Sequence, residues 1–477
     1  MKLFYLCAAI LFSANLSFAQ WQPDVRLTND PGFSVIPGSR CIASSGDTVH
    51  VVWRENRDAG NNEIYYKRST DGGVSWGPDT RISNNVFYST NPSISVSGKL
   101  IHVVWVDMNA QFNKNISYSR STDGGTSWGT ESRLSDNPAN TSAREASVSA
   151  SGSEVHVVWT DDRAIGYIPV IYYKRSTDGG ISWSADTPIT NEAVSSESPS
   201  VSCSGSEVHV AWLGGVNPHY QTFYKNSADA GITWGANAVL TSDTLNVLYP
   251  SLSVSGSSVH LLCLDVRKYP YNQLYYSNSA DGGKNWGAGT WLTTNLAIKV
   301  YSCSMSVSGS NIHIVWDVFG EANQNDIYYK HSTNGGLTWD TETLLTNNAT
   351  KSNGSYPFVS ASGSAVHVAW MDNRDGNSEI YYKRNPTGDL TGTKELSASS
   401  LQFTVFPNPA SNEIKVRCFE NIKEININDM YGKQIYHTGV LNPTPELRIP
   451  TSDFPAGIYF IQVKKENRIS VQKFIKL

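Results

Sequence analysis

Residues Ser153–Trp183 read SEVHVVWTDDRAIGYIPVIYYKRSTDGGISW, and the chain is organised around copies of this stretch. Val155-His156-Val157-Val158-Trp159 alternates its side chains with a period of two and is rich in β-branched and aromatic residues, the pattern of a strand packed on both faces. Ile171–Lys174 makes a second strand, the polar stretch Thr160–Ile168 a loop, and Ser176–Trp183 a glycine-rich turn that reverses a hairpin. One copy is a small antiparallel sheet.

The strand histidine recurs as His50, His102, His156, His209, His260, His313 and His367, separated by 52, 54, 53, 51, 53 and 54 residues. Self-similarity near this period, with several strands per unit, predicts a β-propeller, whose blades bury their faces only against their neighbours. Each glycine-rich turn leads to an outer strand such as Trp76-Gly-Pro-Asp-Thr-Arg81-Ile-Ser-Asn84, but the seventh copy runs from Tyr381–Arg384 into Asn385-Pro386 with no tryptophan. Trp21-Gln-Pro-Asp-Val-Arg26-Leu-Thr-Asn29 matches that outer strand position by position and has no strands of its own before it. The expectation is an all-β, seven-bladed propeller closed by its N-terminal strand; a linear solenoid would need capping units instead.

Residues 1–19 have the form of a secretory signal: Lys2, an apolar run from Leu3 to Phe12, then Ser17-Phe18-Ala19. No other apolar stretch approaches the ~18 residues of a membrane span, and a net charge of -5 offers no basic patch for nucleic acid. The five cysteines left after cleavage, Cys41, Cys203, Cys263, Cys303 and Cys418, are odd in number and scattered over different copies. They read as small buried hydrophobes and not as a disulfide framework. Four domains follow: the signal at 1–19, the propeller at 20–385, a linker at 386–402 of Pro, Gly, Thr and Ser, and a C-terminal domain at 403–477. The last is a run of short alternating strands with Pro, Gly and Asn turns, fitting a small immunoglobulin-like sandwich.

The turns Ser69–Trp76, Ser121–Trp128, Ser176–Trp183, Ser227–Trp234, Ser279–Trp286 and Ser332–Trp339 share the pattern Ser-x-Asp-x-Gly-x-Thr/Ser-Trp, with Asn334 for Asp in the sixth. This pattern resembles the Asp-box (BNR) repeats of the sialidase superfamily. The resemblance implies that the boxes are structural and lie on the face opposite the ligand site, so their acids are not catalytic candidates. The landmarks Phe406-Pro-Asn-Pro409, Asp429-Met-Tyr-Gly-Lys433 and Phe454-Pro-Ala-Gly-Ile-Tyr-Phe460, with Lys473–Leu477, resemble the sorting domain of the type IX secretion system. That implies recognition by an outer-membrane export machine and delivery to the cell surface or beyond.

A ligand at the axis of a propeller breaks its pseudo-symmetry, so site residues should occur once, and residues present in every copy answer packing needs. This removes the seven histidines as a metal site and nearly all of the 14 tryptophans, of which only Trp291 falls outside the pattern. The pairs Glu55/Arg57, Asp161/Arg163, Asp265/Arg267 and Asp372/Arg374 repeat and read as loop braces. No loop has calcium-binding spacing, and no metal or cofactor is expected. The singular candidates for ligand binding are Arg40, Arg144, Glu145, Tyr249, Tyr301 and Tyr356 at the starts of inner strands, with Tyr220 and Tyr271, and also His219, Tyr269 and Phe319, on loops nearby. Guanidinium groups on one side and aromatic rings on the other suit an acidic sugar or a peptide.

The sequence is thus expected to be a surface-delivered monomer that binds an extracellular glycan or peptide. The alternatives are an exo-sialidase-type glycoside hydrolase, with Arg40 and Arg144 as carboxylate clamp and Tyr301 as nucleophile, and a structural adhesin module. Against the hydrolase stand Phe33-Ser-Val-Ile-Pro37, without the arginine of the family's Arg-Ile-Pro motif, and the lack of a third singular arginine on a later inner strand.

Overall fold

The computed structural model describes residues 21–58, 60–138, 140–163, 168–191, 194–216, 219–241, 246–267, 271–293, 299–319, 325–346, 353–387, 403–418, 424–429, 433–439, 446–465 and 468–477. The proposed signal and most of the proposed linker lie outside these residues, as do Tyr269 and the side chain of His219. By its contacts the chain divides into Met1–Leu390 and Thr391–Leu477.

The first unit contains seven antiparallel sheets. The second is representative: Ser89–Ser97, Leu100–Met108, Lys114–Ser121 and the short outer strand Ser132–Arg133 follow one another in sequence and in space. In the first sheet the inner strand is split into Ser34–Val35 and Ile42–Ser45. The seventh is made of Ser355–Ser362, Ala365–Asp372 and Glu379–Asn385, and its outer strand is Val25–Arg26, paired in register with Tyr382 and Tyr381. Arg26 bonds Glu379 there at 2.6 Å, as Arg81 bonds Glu63 at 2.5 Å in the first sheet.

One buried joint is repeated between successive sheets. The strand histidine binds the hydroxyl of a third-strand tyrosine through Nδ1 at 2.7–2.8 Å, as in His102–Tyr118 and His367–Tyr382. That tyrosine meets the outer-strand tryptophan of the next sheet edge-on, and Tyr382–Trp76 and Tyr329–Trp21 belong to the same series as Tyr66–Trp128. The second box glycine has to be glycine: a Cβ on Gly125, at φ 82°, would fall 1.8 Å from the Tyr66 hydroxyl oxygen. Burial pushes six of the histidines down to about 4 and His313 to about 3.

Inner strands are joined by their serines. Their hydroxyls accept amides of the next inner strand, as in Ala150 N to Ser95 Oγ (3.0 Å), Leu252 N to Ser200 Oγ (3.0 Å) and Gly46 N to Ser362 Oγ (2.8 Å). The narrowness of serine, expected from crowding, is half of its use; the hydroxyl also satisfies edge amides that would otherwise be buried unpaired.

The second unit stacks a three-stranded sheet on a four-stranded one. Ile414, Val416 and Ile449 from the first share one core with Ile425, Ile427, Ile461, Val463 and Phe474 from the second. No helix among the described residues is long and apolar enough to cross a membrane.

Candidate functional site

The two ends of the strands differ in kind. At one end lie the first-to-second turns and the boxes, tied together by bonds such as Gly179 N to Ser153 O at 2.9 Å. The Asp178 carboxylate accepts Ser176 Oγ (2.7 Å), Ile181 N (3.0 Å), Ser182 N (2.9 Å) and Ser182 Oγ (2.6 Å), which holds it well below the usual carboxylate range. Asn334 makes the corresponding bonds to Ser332 and Thr338. These side chains are spent on the turn.

At the other end, the inner strands of sheets two to seven each slip register just before their regular run, between Thr90/Ser93, Arg144/Ser147, Glu197/Ser200, Leu248/Ser251, Val300/Cys303 and Ser355/Phe358. Each slip is a β-bulge, which re-aims a side chain. Five bulges put a non-glycine residue at positive φ: Asn91 (53°), Glu145 (57°), Ser198 (50°), Tyr249 (54°) and Tyr356 (52°). Such conformations cost ~1–3 kcal/mol each and collect at functional sites. The side chains at this slot vary between Asn91, Glu145, Ser198, Tyr249 and Tyr356, and a proline follows four of the five.

Several of the sequence candidates meet here. Tyr249, Tyr301 and Tyr356 are about half exposed on three consecutive sheets. Burial first, then the charges of nearby Tyr356 and Glu145, push the Tyr249 phenol above its usual value. Tyr301 packs edge-on against Phe319, over which Lys299 lies at 5.5 Å. Glu145 accepts Thr160 Oγ1 at 2.9 Å and Ser198 N at 2.8 Å through Oε2, so it also braces the bulge of the next sheet.

Others are placed differently. Arg40 turns inward from the first sheet to the Leu252 carbonyl of the fifth (3.4 Å), and burial pulls its guanidinium below the usual pKa. Among the described residues no carboxylate pairs with it. Arg144 stands between Asp162 (3.7 Å) and Glu197 (3.5 Å). His219 and Tyr220 open the strand His219–Ser227 and are not on a loop; Tyr220 packs against Leu213, Val247, Cys263 and Tyr275. Tyr271 is exposed at the edge of the fifth sheet, just before Gln273–Ser279.

Two residues escaped the sequence analysis. Asp317 accepts Tyr301 N (3.1 Å), Ser302 N (2.7 Å), Ser302 Oγ (2.8 Å) and Tyr356 N (3.2 Å), and so fixes both tyrosine-bearing bulges of sheets six and seven. Arg54 reaches Thr90 Oγ1 at 3.5 Å, has no carboxylate partner among the described residues, and is held below its usual pKa by burial. Both occupy the slot after the strand tryptophan, filled elsewhere by Val106, Thr160, Leu213, Leu264 and Met371. That singularity was the available signal.

The repeated acid-x-Arg pairs are braces. Arg163 bonds Asp161 at 2.7 Å, Arg267 bonds Asp265 at 2.6 Å, and each acid also accepts a tryptophan indole. In the fifth sheet, where Cys263 replaces the strand tryptophan, the donor is the odd tryptophan of the sequence, Trp291, at 3.1 Å. Cys41, Cys203, Cys263 and Cys303 are free thiols, the first and third buried and the others partly so. No cluster of His, Cys, Asp and Glu among the described residues is arranged to hold a metal.

Residues 113–368 match the BNR repeat-like domain, and 404–477 match the secretion system C-terminal sorting domain. No curated protein matches the chain. Among solved structures, the ulvan lyase of polysaccharide lyase family PL25 is similar at a TM-score of 0.52 and 11% identity, over 76% of this chain and 95% of that one. Polysaccharide lyase Uly1 gives 0.51 and 12% over 77% and 99%, and the Hadza microbial sialidase Hz136 gives 0.45 and 13% over 69% and 74%. The sorting domain marks the protein for type IX secretion to the cell surface or extracellular space. Boxes, repeats and sorting domain together place the chain in the BNR repeat-like family, as an all-β protein of propeller-like fold with a C-terminal secretion sorting domain.

Proposed function

We propose that residues 20–385 form a seven-bladed propeller closed by the N-terminal strand, that 386–402 link it to the sorting domain at 403–477, and that the propeller binds an extracellular glycan at the end opposite the boxes. The pairing of Val25–Arg26 with Tyr381–Tyr382, and the serine bonds from the seventh inner strand to the first, support the closure. The observation that carries the binding function is the set of bulges: the same slot holds Glu145, Tyr249, Tyr301 and Tyr356 on the third, fifth, sixth and seventh sheets, with all of these but Tyr301 at positive φ and the three tyrosines about half exposed. Aromatic faces suit the apolar faces of sugar rings, and Arg54, with no carboxylate partner among the described residues, suits an acidic substituent. One of the fold's neighbours, the PL25 ulvan lyase, was solved bound to -[GlcA(1-4)Rha3S]-, an acidic saccharide, which is in keeping with that ligand class.

The geometry weighs toward binding over sialidase-type hydrolysis. Arg144 already stands between two carboxylates, and Arg40 is directed at a main-chain carbonyl, so neither is set as a clamp. The test is a glycan-array screen of the secreted protein, run beside sialoside-hydrolysis and uronate-lyase assays. The expected result is a ligand whose affinity drops at least tenfold in Tyr249→Ala and Tyr356→Ala and is unchanged in Asp178→Asn. A hit that depends on Asp178 and ignores both tyrosines would move the site to the other end.

A further inference from the structure

Charge is balanced, sheet by sheet, at one recurrent place in the propeller. Four positions meet there: an acid two residues after the strand tryptophan, an arginine two residues further, a lysine on the third strand, and a second acid three residues after the outer-strand tryptophan. In the first sheet Arg57 bonds Glu55 (3.0 Å) and Asp79 (2.8 Å), and Lys67 bonds Asp79 (2.9 Å). The third sheet repeats this with Arg163, Asp161, Asp186 and Lys174, and the seventh with Arg374, Asp372, Asp24 and Lys383. The fifth and sixth sheets lose members in opposite pairs. The fifth keeps Asp265 and Arg267 and has Gly289 and Ser277 at the other two places; the sixth keeps Lys330 and Glu342 and has Val318 and Gly320. The fourth keeps only Lys225, beside Asn237.

The second sheet breaks the rule in the other direction. It keeps both acids, Asp107 and Glu131, and has lost both cations to Asn109 and Ser119. Neither replacement reaches back to them: Asn109 Oδ1 accepts Gln111 N and Asn113 N of its own loop, and Ser119 donates to the Gly129 carbonyl. Asp107 is buried and accepts Ser89 Oγ (2.6 Å) and Trp105 Nε1 (2.8 Å) through Oδ1. Glu131 accepts Asn84 N at 2.9 Å and lies within hydrogen-bonding reach of Asp107. A third carboxylate, Glu63 of the first sheet, is close by, and it already holds the cation of the neighbourhood, Arg81, at 2.5 Å.

We propose that Asp107 and Glu131 share a proton in place of the missing guanidinium and ammonium, which makes the second sheet, where both acids stand without a cation, a pH-sensitive element. Two carboxylates at one site do not both ionise readily, and a hydrogen bond between them requires that one be protonated. Burial first, then the charges of Asp107 and Glu63, push Glu131 up to about 7, against the pull of the Asn84 amide. The sign follows: a carboxyl raised above its unfolded value of 4.5 stabilises the fold below that pH, and the contribution is lost as pH rises through 7. The loss falls on the contact between Glu131 and Asp107, while the bond from Asn84, which ties the outer strand of the first sheet to the second across a shallow groove lined by Arg81, Ile82, Ser83, Asn84, Thr130 and Glu131, favours the ionised carboxylate and opposes it.

The experiment compares melting temperatures of the full chain and of Glu131→Gln and Asn109→Arg from pH 6 to pH 8, always as variant minus native so that other titrating groups cancel. Gln imitates the protonated carboxyl, and Arg restores the missing cation. Each difference is expected to rise by about 2–5 °C across that range, on the usual scaling of Tm with stability. Asp79→Asn in the charge-balanced first sheet should show no such rise. Infrared difference spectra should contain a protonated-carboxyl band near neutral pH that Glu131→Gln abolishes. Differences that stay flat with pH would overturn the proposal, as would millimolar Ca²⁺ raising the Tm of the native protein and not of Glu131→Gln, since the pair would then be taking a metal. If Asn109→Arg does not fold, Glu131→Gln and the infrared band decide the matter alone.

Discussion

Lowering the pH from 7 to 5 should unfold the propeller, and the seven strand histidines set the size of the effect. Each is buried against a tyrosine, with its pKa pushed down to about 4, or about 3 for His313, from an unfolded value of 6.5. A base depressed in the native state contributes stability that is complete above 6.5 and is lost as pH falls toward the folded pKa, because the unfolded chain binds the proton first. At about 1.4 kcal/mol per pKa unit, the step to pH 5 costs about 2 kcal/mol per histidine. Seven of them cost on the order of 10 kcal/mol, comparable to the ~5–15 kcal/mol that holds a typical domain together. The opposing gain from Glu131 is a single group, and the box aspartates lose their contribution only below 3.8. Urea titrations at half-unit pH steps read the slope directly as protons taken up on unfolding, and five to seven are expected near pH 5.5. A slope of fewer than two protons would show that the histidines are hydrated or paired in a way that the His–Tyr joints do not allow.

Deleting residues 21–29 should leave the edge of Glu379–Asn385 unpaired and strip Tyr329 of its tryptophan partner, lowering the melting temperature by many degrees and promoting aggregation; an unchanged melt would refute the closure. Asp178→Ala removes the acceptor for four donors of the third box and should destabilise the protein without altering any ligand affinity, as judged by parallel melts and binding isotherms. Cys263→Trp should be tolerated only when Trp291 is also reduced to alanine, because the two indoles would compete for Asp265; a double-mutant cycle on the melting temperature measures the coupling. Removing 403–477 should leave a folded propeller inside the native host, and fractionation showing normal surface delivery would exclude the sorting role.

The repeat made the fold legible because each unit answers the same packing problem with the same residues. The strand histidine and its tyrosine lie 15–17 residues apart in every unit, and the box pattern fixes its own turn by local bonds. The outer strand at Trp21 could be assigned for the same reason: its Asp24 and Arg26 make the bonds that Asp79 and Arg81 make. The site was less legible, since singularity says that a residue differs without saying where its side chain goes. Arg40 and Arg144 were both singular, yet one turns inward and the other is taken by Asp162 and Glu197. Asp317 was hidden because it stands one residue before the acid slot, and the bulges that position the tyrosines are marked only by a following proline, at Pro250 and Pro357 but not after Tyr301.

The pairing of Val25–Arg26 with Tyr382–Tyr381 also has a mechanical side. A protein held at the cell surface by its C-terminal end is loaded in tension by flow and by whatever it grips, and that load enters through the chain just after Asn385. The strand that receives it, Glu379–Asn385, is bonded to Ala365–Asp372 on one side and to the N-terminal strand on the other, with Arg26 gripping Glu379 and Asp24 gripping Lys383 and Arg374. Pulling therefore works along antiparallel ladders and ion pairs together, in the shear geometry where many bonds share the force, and it does not peel them one at a time.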